Sequence, residues 1–423
     1  MNRVNQQAMS RREQRGRWGG LGWMNALAGV ALAASFFGCA HGGSRTTSTA
    51  NLAAGASVST VDMEPLQIEV SKDGGELQAF DAPTLFDEAG VHMDQDRFAE
   101  AIENYQRLVK NFPDSPYVPP ALYNAGLSLE ALGKYPEAAE HYALLSGQFP
   151  AARLAKEATL RLGACYAELS RWPASIEALE PMLRRTDLTL AERIEAQARV
   201  GLGYFEIKDF AVAERTFREV VAYYQAHKEE ERIESPFFVA MAQFYDAHLA
   251  HRRFRDLPMR LPQKQLEQDI AQLAKQFLST QDGYVASIRH KDPFWATAAG
   301  FHVGALYREL YDRLLSAPLP AELDSELKKL VYGEMLKSNL RTLLEKAQAI
   351  LQKNVDMAGR VGVKNGWVER SSEQVEEIGR LLATLDDQQV GPKGEPAVGK
   401  PDGAPVPPRP ATHPRTDGRR RMM

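Results

Sequence analysis

Small, aromatic and aliphatic residues recur along the chain at a distance of 37 or 38 positions, from about residue 84 to residue 225. One unit is centred on Gly126 and has apolar residues at helical spacing, namely Leu122, Ala125, Leu129, Tyr135, Ala138, Tyr142 and Leu145. The same pattern lies 37 positions earlier around Ala89, 37 positions later around Gly163, and a further 38 positions later around Gly201. Apolar residues three and four positions apart are typical of amphipathic helices. The pattern therefore predicts four pairs of helices within residues 81–233.

Each unit combines a small residue on its first helix with a large aromatic residue near the start of its second helix. The small residues are Ala89, Gly126, Gly163 and Gly201. They predict a close crossing of two antiparallel helices, because a bulky side chain would not fit there. We expect Tyr135, Trp172 and Phe210 to fill the space between one unit and the next. Pro113 and Pro150 should end the second helices, because proline cannot continue a helix.

This arrangement resembles the tetratricopeptide repeat (TPR), which has a large–large–small first helix and a small–aromatic–small second helix. The period is a few residues longer than the usual value of about 34, so longer turns between repeats are expected. The resemblance implies an all-α fold: a TPR superhelical solenoid of antiparallel helix hairpins, with a disordered N-terminal tether and C-terminal tail.

Residues 234–385 continue as predicted helices, but the repeat signature fades. The pattern predicts helices from Phe237, from Leu266 to Ile288, from Pro293 to Leu315, from Pro320 to about Leu336, from Leu343 to about Arg360, and from Ser372 to Leu385. We interpret this region as a degenerate helical-hairpin extension of the solenoid. No alternating Val, Ile or Thr run in it indicates a sheet.

Residues 1–38 have the pattern of an export signal. An arginine-rich start is followed by an apolar run at residues 21–37, which is short for a membrane-spanning helix. The run ends in Gly38-Cys39, which resembles the lipobox of bacterial lipoproteins, although Phe36 stands where leucine is usual. The resemblance implies a signal peptide over 1–38, cleavage before Cys39, and acylation of Cys39 with chains such as palmitate.

Two further segments flank the predicted body. Residues 39–80 are rich in Ser, Thr, Ala and Gly and predict a flexible tether. Residues 386–423 contain Pro, Gly and Arg and predict a disordered tail. Ala40 rather than Asp follows Cys39, and by the sorting rule of enterobacterial lipoproteins this implies a lipid anchor in the outer membrane that faces the periplasm.

Charge is distributed unevenly over the 423 residues. The chain has a net charge of −4, yet residues 1–38 carry five Arg against one Glu, and residues 386–423 carry seven basic against five acidic residues. The body between them is therefore acidic. Because binding to phosphates requires a basic face, nucleic acid is not an expected partner.

Candidate chemistry is sparse. His248 and His251 lie three apart, whereas zinc proteases need two histidines four apart with a glutamate beside the first. We interpret both as ordinary surface or core residues, and Cys165 as a small buried core residue. The sequence therefore predicts no enzyme, no cofactor, no metal and no small-molecule substrate.

Binding is the function that the repeats favour. In TPR proteins the first helices line a concave groove, and the register places eight residues on that face: Tyr123, Asn124, Glu130, Arg161, Glu168, Arg199, Phe205 and Glu206. Asn124 and Arg161 fall at two positions of the carboxylate clamp of chaperone-binding TPR domains. Phe86, Gly90 and Glu157 occupy other clamp positions, so the clamp is incomplete. The mixed charges and aromatic rings fit a peptide or a helix of a partner protein.

These features together predict a membrane-anchored, non-catalytic scaffold whose groove binds other cell-envelope proteins. The combination resembles the TPR lipoproteins of myxobacterial gliding-motility complexes. An alternative in the same class is a lipoprotein of outer-membrane β-barrel assembly, or another cell-wall-associated lipoprotein. A different class is a cell-wall enzyme with an unrecognised active site in residues 234–385.

Overall fold

The computed structural model describes residues 66–70, 77–318 and 325–387. The predicted signal peptide, Cys39, most of the predicted tether and nearly all of the predicted tail lie outside the described residues. The body, from Met63 onward, forms a unit by itself.

A short antiparallel hairpin precedes the helices. Strand β1 (Gln67–Val70) pairs with β2 (Leu77–Phe80), with Gln67 opposite Phe80. Phe80 is buried, and its ring meets that of Phe112 edge-on with 6.0 Å between centroids. The predicted tether up to residue 80 is therefore wrong for these two strands. Four-residue strands give little sequence signal, and a lone hairpin gains its stability from the surface on which it packs.

Eight helices form the four predicted pairs. They are α1 (Ala82–Asp94), α2 (Phe98–Asn111), α3 (Val118–Ala131), α4 (Tyr135–Gln148), α5 (Ala155–Glu168), α6 (Trp172–Leu179), α7 (Leu190–Glu206) and α8 (Phe210–His227). A 3₁₀ turn, Glu180–Arg184, continues α6. Helices α2 and α4 end just before Pro113 and Pro150, as predicted. Each helix packs on its neighbours in chain order, so the predicted all-α repeat fold is confirmed.

The two helices of a repeat cross where the small residues lie. A Cβ atom added at the glycine would come too close to the side chain sixteen positions later. It would lie 2.6 Å from Tyr142 at Gly126, 2.6 Å from Leu179 at Gly163, and 2.7 Å from Phe217 at Gly201. Such distances are far below van der Waals contact, so only glycine fits without movement of its neighbour. The close crossings predicted from the sequence are confirmed.

The turn inside each repeat has a recurring conformation. Its middle residue has a positive φ, which is 57° at Asp96, 72° at Gly133, 58° at Ser170 and 67° at Lys208. The next N–H donates to a carbonyl of the last helical turn, for example Arg171 to Tyr166 O at 2.8 Å. This is the Schellman motif, in which a left-handed residue ends a helix and satisfies its free carbonyls. The motif sets the short, constant connection between the paired helices.

Five longer helices form the extension: α9 (Phe237–Asp256), α10 (Gln263–Arg289), α11 (Pro293–Leu315), α12 (Glu326–Val361) and α13 (Gly366–Asp387). The two helices predicted around Leu336 and Leu343 are one helix of 36 residues, α12, because the polar residues between them include no helix-breaking Gly or Pro. Pro320 lies outside the described residues. Helix α13 begins at Gly366 rather than Ser372.

The core is not divided at the end of the repeats. One buried cluster runs from Phe80 to Cys165, within the first three repeats. A second runs from Ala167 to Leu382 and includes Phe217 of the fourth repeat and Trp295 of the extension. The fourth repeat and the extension therefore share one hydrophobic core.

Candidate functional site

An arginine links two repeats on the predicted groove face. Arg161 on α5 is 8% exposed, and its Nε donates to the hydroxyl of Tyr123 on α3 at 3.0 Å. Its Nη1 donates to Glu130 Oε2 at 3.2 Å, and Glu157 Oε1 lies 3.4 Å from its Nε. A guanidinium can serve several acceptors at once because its N–H groups point in fixed directions. Arg161 therefore joins the second and third repeats through one polar network.

Burial also governs the groups around Arg161. Desolvation raises the pKa of Tyr123 to about 12, against a smaller lowering by Arg161. Burial raises the pKa of the Cys165 thiol, whose Sγ lies 3.8 Å from Glu130 Oε1 as a weak donor. The prediction that Cys165 is a buried core residue is confirmed, since it is 1% exposed. A protonated, buried thiol is a poor nucleophile.

Arg199 lies at the matching position one repeat later and contacts the extension. It is 6% exposed, pairs with Glu195 at 2.7 Å, and places its guanidinium carbon 4.8 Å from the ring centroid of Phe238. Phe238 belongs to α9, so this contact joins the fourth repeat to the extension. A cation over an aromatic face is favourable when both are removed from water.

The eight predicted groove residues differ in exposure. Tyr123, Asn124, Arg161 and Arg199 are buried, and Asn124 donates to the hydroxyl of Tyr105 at 3.2 Å. Glu130, Glu168, Phe205 and Glu206 are partly exposed. The four buried side chains connect helices, and a direct contact between them and a partner stays a prediction. The partly exposed residues are those that a partner can reach without a change in the fold.

A buried polar cluster that the sequence did not predict lies in the extension. His248 and His251 on α9 meet Tyr284 on α10 and His302 on α11, and Glu309 of α11 completes it. We call these five residues the imidazole cluster. The three histidines are 8%, 0% and 1% exposed in the order of the chain. Ring centroids of His302 lie 5.2 Å from His248, 6.0 Å from His251 and 5.4 Å from Tyr284.

Hydrogen bonds define the proton positions in the imidazole cluster. Glu309 Oε2 lies 3.0 Å from His251 Nε2 and also accepts from Arg255 at 2.8 Å. A carboxylate only accepts, so His251 carries its proton on Nε2, and its Nδ1 accepts from the Tyr284 hydroxyl at 3.0 Å. The Tyr284 oxygen then accepts from His248 Nδ1 at 3.2 Å. Among the described residues, His302 has no hydrogen-bond partner on either ring nitrogen.

The environment keeps all three histidines neutral. Desolvation lowers the pKa of His248 to about 3, and it likewise lowers the pKa of His251 and of His302. Burial alone would raise the pKa of Glu309, but the hydrogen bonds from His251 and Arg255 outweigh it and lower that pKa to about 2. The cluster thus consists of neutral rings beside one ion pair between Glu309 and Arg255.

Metal-binding groups and membrane-spanning helices are both absent from the described residues. Within residues 66–70, 77–318 and 325–387, no group of three or more His, Cys, Asp or Glu side chains has an arrangement that could hold a metal ion. None of the helices in these ranges combines the length and the apolar character needed to cross a membrane.

The imidazole cluster could not be predicted because its residues are far apart in the sequence. Tyr284 lies 33 positions after His251, and Glu309 lies 58 positions after it. Helical periodicity shows which side of a helix is apolar, but not which helices face each other. The available signal was the occurrence of histidine within long apolar stretches, such as Phe301-His302-Val303.

Comparisons with known proteins agree with the repeat structure. The tetratricopeptide repeat family model matches residues 86–153 and 123–187, so this part of the chain is similar to TPRs. None of the curated proteins matches the chain.

Solved structures that match this chain include the following three. A tetratricopeptide repeat protein from Parabacteroides merdae is 15% identical, with 70% of this chain and 98% of that chain covered, at a TM-score of 0.34. The C-terminal part of a TPR repeat-containing protein from Cytophaga hutchinsonii is 11% identical, with 72% of this chain and 96% of that chain covered, at a TM-score of 0.38. The apo form of RapI is 10% identical, with 72% of this chain and 97% of that chain covered, at a TM-score of 0.39. Similarity at this level does not extend to function.

Proposed function

We propose that the protein is a non-catalytic scaffold, held at the outer membrane by a lipid on Cys39, whose repeats bind a segment of another cell-envelope protein. The observation that carries the proposal is the run of TPRs, since stacked helix pairs present extended surfaces used for binding. The imidazole cluster is closed to a substrate, because its three histidines are at most 8% exposed.

The lipid anchor has its own test. Replacing Cys39 by Ala removes the thiol to which the acyl chains would attach. We expect Cys39→Ala to abolish metabolic labelling with palmitate and to shift the protein from the membrane fraction, or to leave it with an uncleaved signal. Cys165→Ala is the matched control, because that thiol is buried and protonated. Palmitate labelling that persists in Cys39→Ala would contradict the anchor.

The charge of the groove face supports one kind of segment as its proposed partner. Arg161 is shared by two carboxylates, Glu130 and Glu157, which leaves an excess of negative charge there. Glu168 and Glu206 are partly exposed near the ends of the first helices α5 and α7. Complementary charge steers association and fixes the register of a partner. We therefore propose that the bound segment carries basic side chains beside apolar ones.

A charge reversal tests this surface at two of its partly exposed carboxylates. In Glu168→Lys/Glu206→Lys we expect at least a tenfold loss in the amount of envelope protein that co-purifies, with unchanged helicity by circular dichroism. The control is Glu137→Lys/Glu140→Lys, which changes two exposed residues of α4, a second helix. Equal capture by both variants would place the binding surface elsewhere, with the extension as the next candidate.

The same variant addresses the biological process. Resemblance to myxobacterial lipoproteins supports a part in a gliding-motility complex. In a gliding host, a strain with Glu168→Lys/Glu206→Lys should grow normally and glide poorly. Loss of viability would favour β-barrel assembly instead.

A further inference from the structure

We propose that the imidazole cluster makes the extension an acid-sensitive part of the protein, which opens at mildly acidic pH while the first two repeats stay folded. The cluster lies where α9, α10 and α11 meet, so its rings are part of the contact that holds these three helices together. A change in its charge therefore acts on the packing of the extension as a whole.

The surroundings of His302 are unfavourable for a charged ring. His302 stacks on Tyr284 with an interplanar angle of 13°, and the rings of Phe244 and Trp367 lie 5.3 Å and 5.2 Å from it. An imidazolium there would have no acceptor among the described residues. Taking a charge out of water without a partner is strongly unfavourable, so the helices must separate before His302 can be protonated.

The charged groups around the imidazole cluster also oppose protonation of its histidines, with one exception. Arg252 and Arg255 on α9 and Arg370 on α13 are cations that oppose protonation of the cluster. Glu309 on α11 is the anion that favours it, and this carboxylate is already paired with Arg255. Helix α10 contributes the Tyr284 hydroxyl, which stays protonated because burial raises its pKa. Helix α12 faces this region with the uncharged amide of Asn354, which donates to Thr297 O at 2.9 Å.

The sign of the pH effect follows from linkage. A histidine whose pKa is lower in the folded than in the unfolded state contributes stability that is complete above the unfolded pKa of about 6.5 and is lost as the pH falls toward the folded value. In the window below about 6.5, the open extension binds protons that the closed one does not. Each such histidine raises the opening constant about tenfold per pH unit.

The repeats lack this feature. Their histidines His92, His141 and His227 are all partly exposed, so they can be protonated with less change in packing. The first two repeats also lie in the core cluster from Phe80 to Cys165, apart from the cluster that includes the extension. Acid should therefore open the extension, together with the fourth repeat that shares its core, before it affects helices α1 to α4.

Hydrogen exchange of the full chain between pH 5.5 and 4.5 tests the proposal. After correction for the intrinsic exchange rate, we expect amides of α9, α10 and α11 to show an opening constant that rises by well over tenfold per pH unit. Amides of α1 to α4 should stay protected across this range. Equal loss of protection in both regions, or an extension that stays protected at pH 4.5, would overturn the proposal.

A variant assigns the effect to the cluster. His302→Phe removes the titrating group without the loss of a hydrogen bond, and it should reduce the steepness of opening about tenfold per pH unit. His141→Phe, in the second repeat, should leave the steepness for the extension unchanged. Burial raises the pKa of Asp246, Asp292 and Asp312, which opposes the histidines near pH 4.5, but equally in every variant. Steepness does not depend on overall stability, so an unchanged slope in a weakened His302→Phe would also refute the assignment.

Discussion

Gly163→Leu is expected to destabilise the third repeat by about 3 kcal/mol or more. A Cβ at Gly163 would already lie 2.6 Å from two carbon atoms of the Leu179 side chain. A leucine adds three further carbons to that site, so α5 and α6 must separate or shift. Overpacking of this kind usually costs about 1–3 kcal/mol, and this site is tighter than most because even a methyl group does not fit. Urea denaturation followed by circular dichroism measures the loss.

Gly147→Leu is the matched control for this prediction. Gly147 lies within α4, and no atom lies within 4 Å of the position where its Cβ would be. Because glycine weakens a helix interior by about 0.5–1 kcal/mol relative to alanine, this change should be neutral or stabilising. Hydrogen exchange should place the damage of Gly163→Leu in α5 and α6 and their neighbours. Equal midpoints for the two variants would show that the crossing tolerates bulk.

Arg161→Leu is expected to cost about 3 kcal/mol, since it leaves buried partners without their donor. The buried Tyr123 hydroxyl loses a hydrogen bond, and the partly exposed Glu130 carboxylate loses its cationic partner. The value is at the lower end of the range for buried pairs because Glu157 keeps 37% of its side chain exposed. Thermal and urea denaturation at neutral pH measure the change.

A second substitution separates the ion pair from simple packing. In Arg161→Leu/Glu130→Leu the unpaired carboxylate is also removed, so the double variant should be more stable than the single one. Arg215→Ala serves as the surface control. Its side chain is 68% exposed and lies 3.9 Å from Glu219, an exposed pair that contributes about 0.3–0.5 kcal/mol. A double variant that is less stable than Arg161→Leu would show that Glu130 has a separate structural role.

The repeats were predictable because each helix crossing depends on a few residues at fixed positions in the sequence. A glycine such as Gly163 and the leucine sixteen positions later belong to one contact, and that contact recurs at a fixed period. The hairpin was not predictable, since its strands have four residues each and depend on Phe80 packing against Phe112. The sequence predicts two helices where α12 is continuous, because a polar stretch resembles a loop when no partner helix is known.

The burial of the groove residues was also beyond what the sequence could predict. The register placed Arg161 and Arg199 on the first helices, but it could not show how deeply each lies. An arginine that faces a neighbouring repeat and one that faces solvent have the same helical position in a periodic pattern. Depth depends on the lengths of the neighbouring side chains, and Tyr123 and Phe238 are the residues that cover them.

The polar interior of the extension has a consequence for how its helices align during folding. Helices α9, α10 and α11 have 20, 27 and 23 residues, and apolar faces of that length tolerate sliding by one turn, about 5.4 Å. Hydrogen bonds do not tolerate it: a slide of α10 would move the Tyr284 hydroxyl away from both His248 and His251. Apolar contacts stabilise several alignments of the helices, whereas these directional hydrogen bonds form in only one alignment. We therefore expect these hydrogen bonds to favour one alignment of the three helices, at the cost of some hydrophobic stability.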